Sequence, residues 1–276
     1  MRDTLIDPVP ERFLGVWQRI SMEAKGKPAD TTTRVYWIQT SALQADLRIP
    51  AGRPDFSGKT ALAECSSDDL LWLAQQQGIA GMTLAGGELL HRRRQVDYQP
   101  TRGRDNTHRM RFEGELLVEE NMHGSVVEKW RRLAGVEGGV ITLRLLEEAE
   151  ADGRIVPRKG YLLVVGDYFL FVRDRPEFTR QSASLEDLFE AQDLERDDMV
   201  PFLDCEFSFG RRNGGTQPWI IELSTLPYRE GKPLFAPGQF EALHAGGNAL
   251  VQRGRGRNGL ITRRWSIHEW SEPTTT

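Results

Sequence analysis

A chain of 276 residues is long enough for one large or two small domains, each with a buried core. A formal net charge of −4 and a pI near 5.8 exclude the basic footprint of a nucleic-acid binder, and no apolar run approaches the ~20 residues of a membrane-spanning helix. Cys65 and Cys205 lie far apart, which argues against a disulfide framework or a zinc site; with no signal-peptide core in Met1–Pro10, they imply a cytoplasmic protein.

Short runs rich in Val, Ile, Trp, Tyr and Phe recur between Gly, Pro, Asn and Asp, the habit of an all-β, mostly antiparallel chain. In the first half this predicts strands near Leu14–Ser21, Arg34–Thr40, Leu43–Ile49, Gly81–Ala85, Leu89–Tyr98, Thr107–Glu113, Glu115–Glu119 and Ser125–Leu133. A helix is predicted over Ser67–Gln77. In the second half strands are predicted near Gly139–Glu147, Gly160–Val165, Tyr168–Val172, Val200–Arg211, Trp219–Thr225 and Leu260–Trp270, with a helix over Ser184–Leu194. Each helix opens on a serine that can cap free amides and on acids that favour the positive end of the helix dipole. Each has an apolar side, suited to plugging a barrel mouth. The Gly- and Pro-rich segment Pro227–Gly259 reads as a long loop, with one short helix around Gln239–His244.

The two helices share a pattern, Asp68-Asp69-Leu70 with Ala74-Gln75 against Glu186-Asp187-Leu188 with Ala191-Gln192. Each follows a few strands and precedes others. A period near half the chain implies two copies of one unit, residues 11–134 and 135–271, joined at the glycine-rich turn Ala134–Gly139.

Gly15-Val16-Trp17 opens the first strand, and Glu128-Lys129-Trp130-Arg131-Arg132 closes the first half. This pairing resembles the calycin superfamily, the lipocalins and their relatives. There an N-terminal Gly-x-Trp strand places an indole on the barrel floor, and an arginine from the last strand lies across it. The resemblance implies that Arg131 or Arg132 covers Trp17. The order Tyr36-Trp37-Ile38-Gln39, Asp46-Leu47-Arg48-Ile49-Pro50, Val96-Asp97-Tyr98-Gln99-Pro100 and Met110-Arg111-Phe112-Glu113-Gly114 is also similar to a group of bacterial and fungal two-barrel calycin-like proteins. It implies two tandem calycin-like β-barrels, each with a short helix insertion. The second half has Gly139-Val140-Ile141 where a Gly-x-Trp would stand, so a second ligand cavity is left open.

Candidate ligand-binding residues fall in the first barrel: Trp17, Tyr36, Arg48, His91, Arg93, His108, Glu128, Trp130 and Arg132. Strand alternation puts Glu128, Trp130 and Arg132 on one face, His91 and Arg93 on one face of another strand, and His108 with Met110 and Phe112. Facing inward, they would line a pocket for a small aromatic or anionic molecule; facing outward, they would pair across strands at the surface. Arg92-Arg93-Arg94 is consecutive, so one face must take Arg93 while the other takes its neighbours. No histidine has metal-ligand spacing, and no nucleophile motif or P-loop occurs, so no metal or cofactor is expected. Three functions stay open: a small-molecule binder, a protein-interaction scaffold with filled barrels, and an isomerase- or lyase-type enzyme with a site inside a barrel. A small-molecule ligand or a protein partner is compatible with these; nucleic acid and membrane are not.

Overall fold

The computed structural model describes residues 8–100, 107–176, 182–212, 218–236, 239, 249–256 and 259–271. In the first half, eight strands pair antiparallel in chain order: β1 (Gly15–Ala24), β2 (Arg34–Gln39), β3 (Leu43–Ile49), β4 (Gln77–Gly86), β5 (Leu89–Asp97), β6 (Thr107–Glu113), β7 (Leu116–Asn121) and β8 (Val126–Arg132). β8 returns to β1, with Trp17 opposite Arg132, and the sheet closes into a barrel without free edges. Alternation sorts the side chains. Val35 and Trp37 point into the lumen, whereas Tyr36 and Ile38 point out. β4 and β5 slip register between Ala80 and Gly81. A side chain at Gly81 would put its Cβ 2.2 Å from the Arg93 carbonyl oxygen, so only glycine allows that approach.

The second half contributes β9 (Val140–Glu150), β10 (Ile155–Val156), β11 (Gly160–Val165), β12 (Tyr168–Arg173), β13 (Glu206–Arg211), β14 (Ile220–Ser224), β15 (Ala249–Gly256) and β16 (Gly259–Ser271). Among the described residues its order is β14-β13-β12-β11-β9-β16-β15, with β10 paired to β9. This sheet is open among the described residues, so of the two expected barrels the first is closed and the second is not shown to close. The outer side of β14 is engaged by its own downstream chain: Ile221 N–H donates to the Lys232 carbonyl (3.1 Å) and Leu234 N–H to the Trp219 carbonyl (2.8 Å). β15 lies where a loop was predicted, because Leu250 and Gln252 face inward and pair across to β16. The helix expected around Gln239–His244 falls mostly outside the described residues.

The described residues include the helices α1 (Ser67–Ala74), α2 (Leu185–Ala191) and α3 (Arg196–Leu203). Ser66 Oγ accepts from Asp69 N–H (3.2 Å) while Asp69 accepts from Ser66 N–H (2.8 Å), a complete capping box. Ser184 caps α2 through Asp187 N–H (3.0 Å). α3 replaces the start of the strand predicted over Val200–Arg211, since Asp197 and Asp198 suit a helix first turn and β13 begins only at Glu206.

The helices do not plug a barrel mouth. Leu70, Leu73, Leu185, Leu188 and Phe189 join the core that lies between the two halves. In that core Val16, Ile38, Ala45, Leu47 and Ile49, on the outside of the first barrel, meet Leu163, Val165, Leu170, Val172, Phe207 and Phe209 of the second sheet. Tyr36 stacks on Phe209 with ring centroids 4.1 Å apart. A Cβ at Gly78 would lie 2.8 Å from the Phe207 ring, so the glycine lets the second sheet close in. Two further cores sit inside the barrel and on the other face of the second sheet. The strands segregate at residue 140, yet both halves share one core. No helix among the described residues is long and apolar enough to cross a membrane.

Candidate functional site

The lumen of the first barrel is built in levels. At the floor Trp17 is fully buried, and its Nε1–H donates to the Phe13 carbonyl (2.9 Å). The Arg132 guanidinium carbon lies 4.6 Å from the Trp17 ring centroid, and its Nη2 donates to the Arg12 carbonyl (2.5 Å). This stack closes the floor, and Arg132 rather than Arg131 makes it. A cleft of about 410 Å³ lined by Pro8, Pro10, Arg12, Ala85 and Gly87 lies at this end, outside the lumen.

Above the floor stand Trp37 and Trp130, with ring centroids 5.6 Å apart and an edge-on arrangement. Leu90, Met110 and Leu117 pack around them. The next level is charged. Glu128 Oε1 receives Arg19 Nη1 (2.7 Å) and Arg48 Nη1 (2.7 Å). Arg48 also reaches Asp46 (3.1 Å), and Arg19 reaches Asp30 at the rim (2.5 Å). Across the lumen Arg92 grips Glu119 with two parallel bonds of 2.6 and 2.9 Å, and His108 Nδ1 lies 3.1 Å from the same carboxylate. Among the described residues this level holds four carboxylates (Asp30, Asp46, Glu119 and Glu128) against three guanidiniums (Arg19, Arg48 and Arg92).

Burial alone would raise the Glu128 pKa, but Arg48 and Arg19 override it and hold the carboxyl at about 2. Burial pushes His108 below its ordinary value, and the Glu119 carboxylate only partly offsets this. Both shifts have the same sign for stability. Each group binds its proton more readily in the unfolded chain, so stability falls as pH falls. We predict a stability that begins to drop below about pH 6.5 through His108 and drops further from about 4.5 toward 2 through Glu128. Urea midpoints measured across that range check this, and His108→Gln should remove the first decline. A midpoint unchanged between pH 7 and 3 would mean that the charged level is wrongly described.

Among the described residues, four buried polar side chains in this lumen lack a full set of partners. Trp37 Nε1, Trp130 Nε1 and Arg92 Nε find no acceptor among the described residues, and both ends of the Gln44 amide find no partner there. The contrast with Trp17 is direct, since that indole is satisfied. Arg92 Cζ lies 4.7 Å from the Trp37 ring centroid, which places the free donors close together.

Of the residues predicted from the sequence, Trp17, Arg48, His108, Glu128, Trp130 and Arg132 share the lumen or its floor. Three do not. Tyr36 stands on the outer face against Phe209, because its neighbour Trp37 takes the inward position. His91 is exposed and bonds Thr107 Oγ1 (2.8 Å). Arg93 is exposed, and Arg92 is the arginine that turns inward. Sequence reading missed Arg19, Trp37, Asp46, Arg92 and Glu119. Leu90 carried the available signal for one of them: a buried Leu90 puts Arg92 on the same side of its strand. The chain matches no family model, no curated protein and no solved structure.

Proposed function

We propose that the first barrel binds a small, uncharged aromatic molecule carrying hydrogen-bond acceptors, held between Trp37, Trp130 and Arg92. The observation that carries this reading is the set of buried donors with no acceptor among the described residues. Leaving such a group unpaired costs about 1–3 kcal/mol, which an acceptor on a ligand would recover. The two indoles make this level aromatic, and they pack against Trp17, Arg92 and Arg48. The charged level argues for a neutral ligand over an anionic one. Its arginines already have carboxylate partners, and carboxylates are in excess. The closed eight-strand antiparallel barrel and the Arg132–Trp17 stack support a calycin-like reading of the first half.

The test is a titration of the full chain with neutral aromatic amides and lactams, each beside its carboxylate analogue. Tryptophan fluorescence and melting temperature report binding. Neutral members should raise the melting temperature in a dose-dependent way, and Trp130→Phe should abolish the indole-specific response. Equal behaviour of amides and carboxylates, or an unchanged response in Trp130→Phe, would refute the assignment.

A second reading is a protein-interaction scaffold. It is favoured by a lumen crowded with three tryptophans and internal ion pairs. Exposed Leu146, Ile155, Val251 and Leu260 on β9, β10, β15 and β16 supply apolar surface for it. Failure of every aromatic probe would favour this reading.

A further inference from the structure

One face of the second sheet is covered over one half and open over the other. Over β11 and β12 it packs against the first barrel and the helices, through Leu163, Val165, Leu170 and Val172. The cover ends inside one cross-strand row. Tyr161 on β11 is buried, and its hydroxyl donates to Gln95 of the first barrel. Its neighbour on β9, Arg144, is exposed, and Arg144 in turn lies opposite Ser266 of β16. From there the same face runs on over β9, β16 and β15 into solvent.

Register and alternation decide which side chains occupy this open half. Gln252, Arg263, Glu148 and Val156 form one row across β15, β16, β9 and β10, and Gln252, Glu148 and Val156 are buried on the inner side. The rows on either side of it therefore point outward. One holds Val251, Arg264 and Glu147, the other Arg253, Thr262, Ala149 and Ile155. Leu260 precedes the buried Ile261, and Leu146 is left without a partner where β16 slips register between Arg264 and Trp265. Val251, Leu146, Ile155 and Leu260 are 48–64% exposed. Arg144, Arg253 and Arg264 are exposed beside them, and among the described residues of these rows the one carboxylate is the half-buried Glu147. Glu269, at the seam with the first barrel, accepts from Ser41 Oγ (3.0 Å). The open half is thus apolar and positive, on a chain whose net charge is −4.

We infer that this open half-face docks an acidic amphipathic helix of a partner protein, whose apolar stripe covers Val251, Leu146, Ile155 and Leu260 and whose carboxylates meet Arg144, Arg253 and Arg264. The inference rests on the scaffold reading above and names its partner; it makes no use of the first-barrel lumen. A sheet buries an apolar face against a helix or against another sheet. The same face of a second copy would set one positive patch on another, and like charges brought together across an interface are unfavourable. A helix with acids flanking its apolar stripe meets both the leucines and the arginines. Four strands at ~4.8 Å spacing are about 14 Å across, close to the ~16 Å of three helical turns. An anionic bilayer offers the same charge as the helix, but the net charge of −4 opposes its approach.

The experiment is a fluorescence-anisotropy titration of the full chain into a labelled synthetic helix with leucines along one stripe and glutamates flanking it. The same peptide with lysine for glutamate, and vesicles of phosphatidylcholine with phosphatidylserine, serve as comparisons. The acidic peptide should bind saturably, bind less tightly as salt rises, and slow amide exchange in β15 and β16. Leu260→Ser and Arg264→Glu change exposed side chains, so both should fold, and each should weaken binding by about tenfold or more. Arg131→Glu, on the outside of β8, should bind normally. Binding of the lysine peptide at this face in place of the acidic one would overturn the acidic partner and leave the scaffold reading standing. If neither peptide protects β15 and β16, this face is not a docking surface, and the scaffold reading falls with the inference. An unaltered affinity in both variants would place the contact elsewhere and overturn the assignment. Vesicle binding or self-association that is lost in the same two variants would give the face to a bilayer or to a second copy, and would overturn it as well.

Discussion

Glu128→Ala is expected to destabilise the protein by roughly 3–5 kcal/mol, the cost of stranding buried charge. Glu128 is the shared partner of two arginines inside the first barrel, each at 2.7 Å. Removing it leaves Arg19 facing only Asp30 at the rim, and Arg48 facing only Asp46. The Arg19 side chain is only 3% exposed and that of Arg48 18%. Glu128→Gln keeps the shape and one acceptor oxygen, so it should fall between alanine and the parent. Chemical denaturation of the three proteins measures the order. A loss below about 1 kcal/mol for alanine would show that solvent already screens the pair, as it does for surface ion pairs.

Phe209→Ala should cost a similar amount, about 3–5 kcal/mol, typical of a large aromatic deleted from a core. Phe209 stacks on Tyr36 of the first half at 4.1 Å and on Tyr168 of its own sheet at 5.8 Å. Its loss therefore opens the boundary between halves rather than one of them. The two halves are expected to unfold together in the parent and in the variant, because the boundary is a shared core and not a linker. Far-ultraviolet ellipticity and tryptophan fluorescence followed through one denaturation should coincide. Two separated transitions, with the first barrel unaffected by Phe209→Ala, would contradict this.

The parts of the fold visible in the sequence are those set by local rules. Ser66 and Ser184 announced α1 and α2 because an N-cap needs only three or four residues to declare itself. An arginine over Trp17 was expected only through the calycin resemblance, with Arg131 and Arg132 both open, and the structure puts Arg132 there. The lumen was harder to read. Leu117-Val118-Glu119 has apolar residues on both faces, so its phase, and with it the inward Glu119, could not be fixed by alternation. On β2 and β3 the second sheet adds to the difficulty, since it covers the outside of the barrel there and makes outward positions such as Tyr36 and Ile38 as apolar as inward ones. The register slip at Gly81 shifts the phase of β5 again, between Arg94 and Val96. The free side of β14 was hidden for another reason: its cover comes from residues 231–234, which carry no strand pattern.

The shared core also sets a problem for the chain as it leaves the ribosome. Strands β1 to β8 pair only with sequence neighbours and with each other, so the first barrel has every backbone partner it needs once residue 132 has emerged. Its outer wall does not. Val16, Ile38, Ala45, Leu47 and Ile49 lack their cover from the second sheet until β11, β12 and β13 arrive, more than seventy residues later for the last of them. The nascent barrel thus passes through a stage with complete hydrogen bonding and an uncovered sticky wall. Slow translation beyond residue 132 lengthens that stage, and it is the interval in which a holding chaperone would matter most.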